Sequence, residues 1–127
     1  MVKAVFAAFA ERDFERVLDL VDPEFEFTTV TSDYAGRTEP YRGHEGMREY
    51  FRDVALVWDD LRLTPREFRK IGGSVVVTGR VNARSAARIV DGSTGWVFRV
   101  RDGRVVYGRV YASAGDAEQA VMGDDAR

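Results

Sequence analysis

The sequence predicts an α+β fold in which helices pack on the concave face of one curved, cone-shaped antiparallel sheet. Apolar residues in the first 58 positions recur at helical spacing, whereas those after position 60 alternate with polar residues as in strands. Helices gathered ahead of a run of strands are typical of α+β domains. A length of 127 residues suits one hydrophobic core, so we expect residues 1–127 to form a single domain.

Two short helices are predicted at the start of the chain. Asp13 is a suitable N-cap for the second helix, and Asp22-Pro23 ends it because the residue before a proline avoids the helical region. The apolar stripes of the two helices are Val2, Val5, Phe6 and Phe9, then Phe14, Val17, Leu18 and Val21.

A short strand and a loop are predicted next. Phe25, Phe27 and Thr29 alternate with polar neighbours, which indicates a strand with one buried face. Residues 31–43 contain serine, aspartate, glycine and proline and are predicted to be a loop.

The longest helix is predicted within the stretch from Tyr41 to Trp58. Gly43 and Gly46 stand at its start, and Glu45 lies in the first turn, where the helix dipole favours negative charge. We expect its apolar face to cover whatever the sheet encloses. That face consists of Met47, Tyr50, Phe51, Val54 and Trp58.

The rest of the chain carries the period of strands. Pro65 interrupts the first strand after Leu61 and Leu63, which predicts a bulge or an edge position. Further strands are predicted at 74–85, around 96–101 and at 105–112, with a two-residue hairpin turn at Asp102-Gly103. Residues 115–123 are predicted to add a helical turn, and residues 124–127 to fray.

The alternation assigns side chains to the two faces of the sheet. The inner set is Val75, Val77, Gly79, Val81, Ala83, Trp96, Phe98 and Val100. The outer set is Arg80, Asn82, Arg84, Arg99, Arg101, Tyr107, Arg109 and Tyr111.

Composition limits the possible functions. A net charge of −2 predicts no affinity for nucleic acid or anionic membranes, and the chain has no cysteine for a disulfide or a thiolate. One histidine without a paired acidic motif argues against a metal site, and we expect no cofactor. No apolar run reaches membrane-span length, and residues 1–21 show a charged amphipathic pattern, so a cytoplasmic location is expected. All basic residues except Lys3 and Lys70 are arginines, which indicates either anion recognition or a GC-rich genome.

Four segments, at 6–14, 22–27, 41–47 and 96–103, together resemble the nuclear transport factor 2-like superfamily. Within it they are similar to SnoaL-like and ketosteroid-isomerase-like proteins. The resemblance implies a cone closed at one end by the helices, with a ligand cavity between helix and sheet. Because this fold hosts both enzymes and non-enzymatic binders, it does not fix the function.

The resemblance also implies that ketosteroid isomerase catalysis is absent. The family's isomerases use a tyrosine and a protonated aspartic acid as oxyanion donors, and an aspartate as the base. The matching positions here are Val5, Trp96 and Thr29, respectively. Valine cannot donate a hydrogen bond, indole does not titrate, and threonine is no base near neutral pH.

Three residues are candidates for chemistry. His44 is the only side chain with an ordinary pKa suited to a general base near neutrality, but a polar residue that caps or solvates a helix start is the simpler explanation. Asp33 and Tyr34, an acid beside a phenol, are predicted to cross the mouth of the cone and could transfer a proton. A plain turn with a surface aromatic is the alternative.

Five residues are predicted to line a ligand site, because aromatic walls with polar tips suit an apolar ligand that bears one or two oxygens. These are Thr29, Tyr50, Trp58, Trp96 and Phe98. The alternative is that they only fill the core.

Two functions therefore stay open. The first is a SnoaL-like protein that binds a small hydrophobic molecule in the cone, with or without catalysis. The second is a non-catalytic binding or assembly module, for which the outer arginines and tyrosines would form a homodimer interface rather than a solvated face.

Overall fold

The computed structural model describes residues 1–125, without the side chains of residues 30, 33 and 123–125. Its helices are α1 (Val2–Ala10), α2 (Phe14–Leu20), α3 (Val30–Tyr34), α4 (Gly43–Val57) and α5 (Ala114–Asp125). Its strands are β1 (Val21–Thr28), β2 (Tyr41–Arg42), β3 (Asp60–Ile71), β4 (Ser74–Arg84), β5 (Ile89–Arg101) and β6 (Arg104–Tyr111). The predicted α+β class is confirmed.

All six strands form one sheet in the order β2-β1-β6-β5-β4-β3. The pairs from β3 to β6 are antiparallel, as predicted, and so is the pair of β1 with β2. The pair of β1 with β6 is parallel. These two strands come from opposite ends of the chain, so no hairpin turn dictates their relative direction.

β3 is both bulged and at the edge of the sheet. Its register with β4 shifts between Pro65 and Glu67, next to the proline that predicted the irregularity. At the bulge the two backbones come close together, and a Cβ on Gly79 would lie only 2.1 Å from the Thr64 carbonyl oxygen. The absence of a side chain at Gly79 therefore creates no open space on the inner face, because the β3 backbone fills the volume beside the glycine.

The predicted Asp102-Gly103 hairpin is confirmed. Both residues have positive φ, 53° and 76°, and Arg101 pairs directly with Arg104 across the turn. Such turns match the twist of the flanking strands.

The inner face of the sheet and the helices α1 and α4 enclose an aromatic core. Phe6 of α1 contacts the Trp96 and Phe98 rings edge-on, at 5.1 and 5.6 Å between centroids. Tyr50 of α4 stacks on Phe9 at 5.5 Å. These contacts hold both helices on the concave face, as predicted.

The C-terminal helix is longer than predicted and lies on the other side of the sheet. Instead of one helical turn at 115–123, α5 spans twelve residues and packs Ala117 and Val121 against Val76 and Val97. Small or apolar residues on the outer face make this possible, so that face is not uniformly polar. The predicted fraying of residues 124–127 concerns two residues outside the described range, whereas the other two complete α5.

The segment 31–43 is not simply a loop. It begins inside the short helix α3 and ends with the two-residue strand β2, which pairs with β1. Five and two residues are too few to show periodicity, so the sequence pattern could not indicate them. Within the described residues, no helix is long and apolar enough to cross a membrane.

Candidate functional site

Two small cavities lie between the helices and the sheet, each with a volume of about 40 Å³. One water needs roughly 10–15 Å³ of such volume, so each cavity has room for only a few waters. The inner cavity is lined by Val5, Phe6, Phe9, Val17, Val21, Phe25, Phe27, Met47, Tyr50, Leu63, Trp96, Phe98 and Val105. The outer cavity is lined by Phe27, Thr29, Thr31, Tyr50, Trp58, Leu61, Leu63, Val81, Ala83, Val90, Trp96 and Val110.

The two cavities are separated by side chains that line both of them. These are Phe27, Tyr50, Leu63 and Trp96. The two cavities therefore share an apolar wall, and together they form the interior chamber.

Tyr50 is the only titratable residue that lines either cavity in the described part of the chain. It is 4% exposed, and this burial raises the pKa of its phenol above the ordinary value. A hydrogen bond with Thr29 and the positive charge of Arg12 oppose that rise in pKa without cancelling it. Tyr50 is thus protonated at neutral pH, and its hydroxyl can act as a hydrogen-bond donor.

The wide end of the outer cavity is closed by α3. Trp58 Nε1 donates to the Thr31 hydroxyl at 3.1 Å, and Thr31 is only 2% exposed. The Tyr34 ring meets Trp58 edge-on at 5.2 Å, and the Arg88 guanidinium lies 4.4 Å from the Tyr34 ring centroid. The α3 segment therefore forms a cover made of a few neutral contacts and one cation–π contact.

All five residues predicted to line a ligand site border these cavities. Thr29, Tyr50, Trp58 and Trp96 border the outer one, and Phe98 borders the inner one. Their role in binding stays a prediction. Thr31 was not recognised in the sequence, since it falls in the segment predicted as a loop and has no distinguishing pattern.

Two of the three predicted catalytic candidates, His44 and Tyr34, border neither cavity. His44 is at the start of α4, where its Nε2 is 3.1 Å from the Val21 carbonyl oxygen, and it borders neither cavity. Tyr34 is half-buried in the cover described above. The side chain of Asp33 lies outside the described residues.

The three isomerase-equivalent positions do face the interior. Val5 borders the inner cavity, Thr29 the outer one, and Trp96 both. Among the described residues, no carboxylate, histidine, lysine or arginine borders either cavity. The described lining can therefore donate and accept hydrogen bonds, and it includes no group that exchanges a proton near neutral pH.

A polar cluster on the opposite face of α4 went unrecognised in the sequence. Asp53 accepts hydrogen bonds from Arg37 Nε at 2.9 Å and from the Tyr41 hydroxyl at 2.7 Å, and Arg37 also pairs with Glu49. Burial would raise the pKa of Asp53, but the hydrogen bonds from Arg37 and Tyr41 outweigh it and hold that pKa below the ordinary value. The sequence did contain one indication of this cluster: Glu49 and Asp53 are four residues apart, so their carboxylates lie on the same side of α4.

Comparisons with known proteins agree with this fold. The family model described as SnoaL-like domain matches residues 2–108. No match was found among curated proteins. TerC, whose crystal structure was obtained by co-crystallisation with polyporic acid, is 25% identical with a TM-score of 0.77, and the alignment covers 95% of each chain.

Two further solved structures are similar. A nuclear transport factor 2-like protein of unknown function from Burkholderia pseudomallei is 24% identical with a TM-score of 0.77, covering 95% of this chain and 94% of that one. A cystatin-fold protein from Novosphingobium aromaticivorans is 14% identical with a TM-score of 0.69, covering 87% and 93%. At these identities the two structures support the fold alone.

Proposed function

The chain belongs to the SnoaL-like domain family, and from that premise we propose that it binds one small, largely apolar molecule between its helices and its sheet. The observation that carries the proposal is the lining of the two cavities. Their walls are aromatic and aliphatic, and the neutral polar groups of Thr29, Thr31 and Tyr50 gather at the outer cavity. A mostly apolar wall with a few placed polar groups is typical of ligand pockets.

Binding requires the interior to expand. Ligand pockets usually enclose roughly 300–1,000 Å³, whereas each cavity here measures about 40 Å³. The α3 cover is the element that a ligand could displace, because two of its contacts involve the cavity-lining residue Trp58: the hydrogen bond from the indole to Thr31 and the edge-on contact with the Tyr34 ring. An edge-to-face ring contact is worth only about 0.5–1.5 kcal/mol, so a ligand that packs against Trp58 could replace it.

The polar groups define the kind of ligand. The Tyr50 hydroxyl is protonated and buried, so it suits a carbonyl, ether or hydroxyl oxygen of the ligand. No charged side chain of the described residues borders the cavities, so a formal charge on the buried part of the ligand would be costly. The co-crystallisation of the similar protein TerC with polyporic acid supports including that compound among the probes. Because it is an acid, this lining should bind its protonated form, and neutral polyketides and steroids are tested beside it.

The proposal includes no proton-transfer step. The only titratable side chain bordering the cavities in the described residues is Tyr50, whose raised pKa keeps it protonated. A cyclase, isomerase or hydrolase reaction in this space would need its base from the ligand or from a water molecule. Tyr34 and His44, which border neither cavity, and Asp33, whose side chain lies outside the described residues, remain the candidates.

The two tryptophans provide a direct test. In ¹⁵N–¹H spectra the indole N–H signals of Trp58 and Trp96 should shift saturably with polyporic acid, or with a member of a panel of polyketides and steroids. Trp58→Phe should keep the fold, remove one signal and weaken binding, whereas Leu56→Ala, at a residue 77% exposed, should leave binding unchanged. If no compound moves either indole signal, the ligand hypothesis fails.

A homodimer is the second candidate, and we propose it for the part of the outer sheet face that α5 leaves open. There Arg80 and Asn82 both donate to Asp91 at 2.8 and 2.7 Å, which presents an ordered polar surface. Sedimentation at micromolar concentration should then give about twice the monomer mass. Arg80→Glu should shift the protein toward monomer and Arg16→Glu on α2 should not, whereas a monomeric wild type would exclude this candidate.

We also propose a cytoplasmic location for either function.

A further inference from the structure

A groove much larger than either interior cavity lies outside the proposed ligand chamber. It is an open groove of about 550 Å³ between the first turn of α1 and the turn that joins β3 to β4. It shares no lining residue with either interior cavity. Its apolar floor consists of Met1, Val2, Phe68, Val75 and Val100.

Both lysines of the sequence lie in this groove. Lys70 pairs with Val75 across the β3–β4 ladder, and Val75 packs against the core on the inner side of the sheet. Directly paired residues lie on the same face of a sheet, so Lys70 lies on the inner face beside the apolar residue Val75. Lys3 approaches from α1, with its Nζ 5.2 Å from the Phe68 ring centroid.

The two ammonium groups lack acidic partners. Within the described residues, neither Lys3 nor Lys70 forms a salt bridge or a side-chain hydrogen bond, and no carboxylate lines the groove. Two other basic residues of these strands do have carboxylate partners, since Arg69 on β3 pairs with Glu118 and Arg80 on β4 pairs with Asp91. The groove therefore combines an apolar floor with two uncompensated positive charges.

We propose that this groove is a second binding site that takes a single-chain carboxylate, an apolar tail ending in one anionic group. The tail would lie along Phe68, Val75 and Val100, and the carboxylate would be held between Lys3 and Lys70. A flexible ammonium group can follow a mobile anion as a point charge. The site is independent of the interior chamber and of the ligand proposed there.

The experiment uses dodecanoate, below its micelle concentration, as the probe. Reductive ¹³C-methylation labels amines while keeping their charge, and with only Lys3 and Lys70 in the chain it gives two lysine signals that Lys3→Gln and Lys70→Gln assign. Both signals should shift saturably with dodecanoate. Dodecanol lacks the charge and acetate lacks the tail, so each should bind more weakly.

Charge removal tests the role of the lysines. Lys70→Gln and Lys3→Gln should each weaken dodecanoate binding by about threefold to fivefold, the range expected for a partly exposed charge pair. Arg84→Gln, an exposed charge at the far end of β4, is the matched control and should change nothing. Equal weakening in all three variants would overturn the assignment to the groove.

The indole signals distinguish this site from the interior. Dodecanoate that shifts the lysine signals but not those of Trp58 and Trp96 supports the groove. Indole shifts without lysine shifts would place dodecanoate in the interior chamber and overturn the proposal, and so would the absence of any lysine shift. Binding of an acidic peptide or of anionic vesicles in place of dodecanoate would also refute a carboxylate site.

Discussion

Gly79 stands where the bulge of β3 brings a backbone carbonyl against β4. The space in which a side chain would begin is already occupied by the Thr64 oxygen, 2.1 Å from an ideal Cβ. The nearest atoms belong to the backbone of Thr64 and Pro65 rather than to a flexible side chain. A side chain at position 79 would therefore force β3 and β4 apart. Gly92, on β5, has open space at the same point and no atom within 4 Å.

We predict that Gly79→Ala lowers the free energy of unfolding by about 1–3 kcal/mol, the usual cost of overpacking, or more. Gly92→Ala is the matched control and should change the stability by no more than about 0.5 kcal/mol, as expected for a surface substitution. Urea unfolding followed by tryptophan fluorescence measures both. Equal stability of the two variants would contradict a close approach at the bulge.

At the same scale, the sequence predicts which residues face inward but not what they touch. Tyr50, Trp58 and Trp96 all border the interior, as their helical and strand spacing indicates. The hydrogen bond from Trp58 to Thr31 was not predictable, because the Thr31 hydroxyl belongs to a segment without periodic signal. Such contacts depend on how α3 is placed in space, which a local pattern does not carry.

At the scale of elements, the cluster around Asp53 ties the segment 35–42 to α4. Arg37 and Tyr41 both donate to the Asp53 carboxylate, and the Arg37 guanidinium lies 4.3 Å from the Tyr41 ring centroid. This cluster holds β2 and the segment before it against α4. Because α3 directly precedes that segment, the cluster also helps to position α3 over the cavity. Asp53 is therefore expected to stabilise the cover as well as the fold.

The lowered pKa of Asp53 gives this cluster a pH dependence with a definite sign. A carboxylate whose pKa is lower in the folded state stabilises the fold above its unfolded pKa of about 3.9, and this stabilisation is lost as pH falls through the folded pKa. We predict that Asp53→Asn lowers the urea midpoint at pH 7. The difference between wild type and variant should then shrink below about pH 4.

Glu118→Gln is the control for that measurement, since Glu118 is a partly exposed carboxylate of α5 that pairs with Arg69. Its effect should be small at every pH, because exposed ion pairs contribute little. A constant difference between wild type and Asp53→Asn from pH 7 to pH 3 would rule out the assigned role of the carboxylate.

Long elements were predictable because their periods repeat. α4, β4 and β6 lie close to their predicted positions, and Pro65 and Asp102-Gly103 indicated the bulge and the hairpin. By contrast, β5 begins at Ile89, well before the predicted strand around 96–101, because residues 89–95 contain glycine and polar residues that weaken the apolar alternation. Elements of two to five residues, β2 and α3, cannot repeat a period and were missed. The length of α5 was missed because its apolar residues are few and small.

At the scale of the whole molecule, the features that the sequence did not predict are contacts between segments far apart in the chain. The parallel pair of β1 with β6 and the packing of α5 on the outer face join segments that no turn connects. The same holds for the candidate site: its lining residues were predictable, but the closeness of packing that leaves about 40 Å³ in each cavity depends on every element at once.

The whole interior also decides which chemistry the fold can perform. An isomerase needs an acid and a base that face one chamber, and the described residues place neither a carboxylate nor a histidine on either cavity. Each missing general acid or base removes roughly 10²–10⁴-fold in rate. Tyr50 alone could donate to an oxyanion, but it cannot abstract a proton while its raised pKa keeps it protonated.

We therefore predict that a β,γ-unsaturated ketosteroid is isomerised no faster than in buffer, when the conjugated product is followed by its ultraviolet absorbance. An authentic ketosteroid isomerase in the same assay controls for substrate quality. A rate clearly above buffer that falls in Tyr50→Phe would contradict the prediction, because the reaction would then take place beside the Tyr50 hydroxyl. That result would also require a base in the chamber, such as a water molecule or a group of the substrate itself.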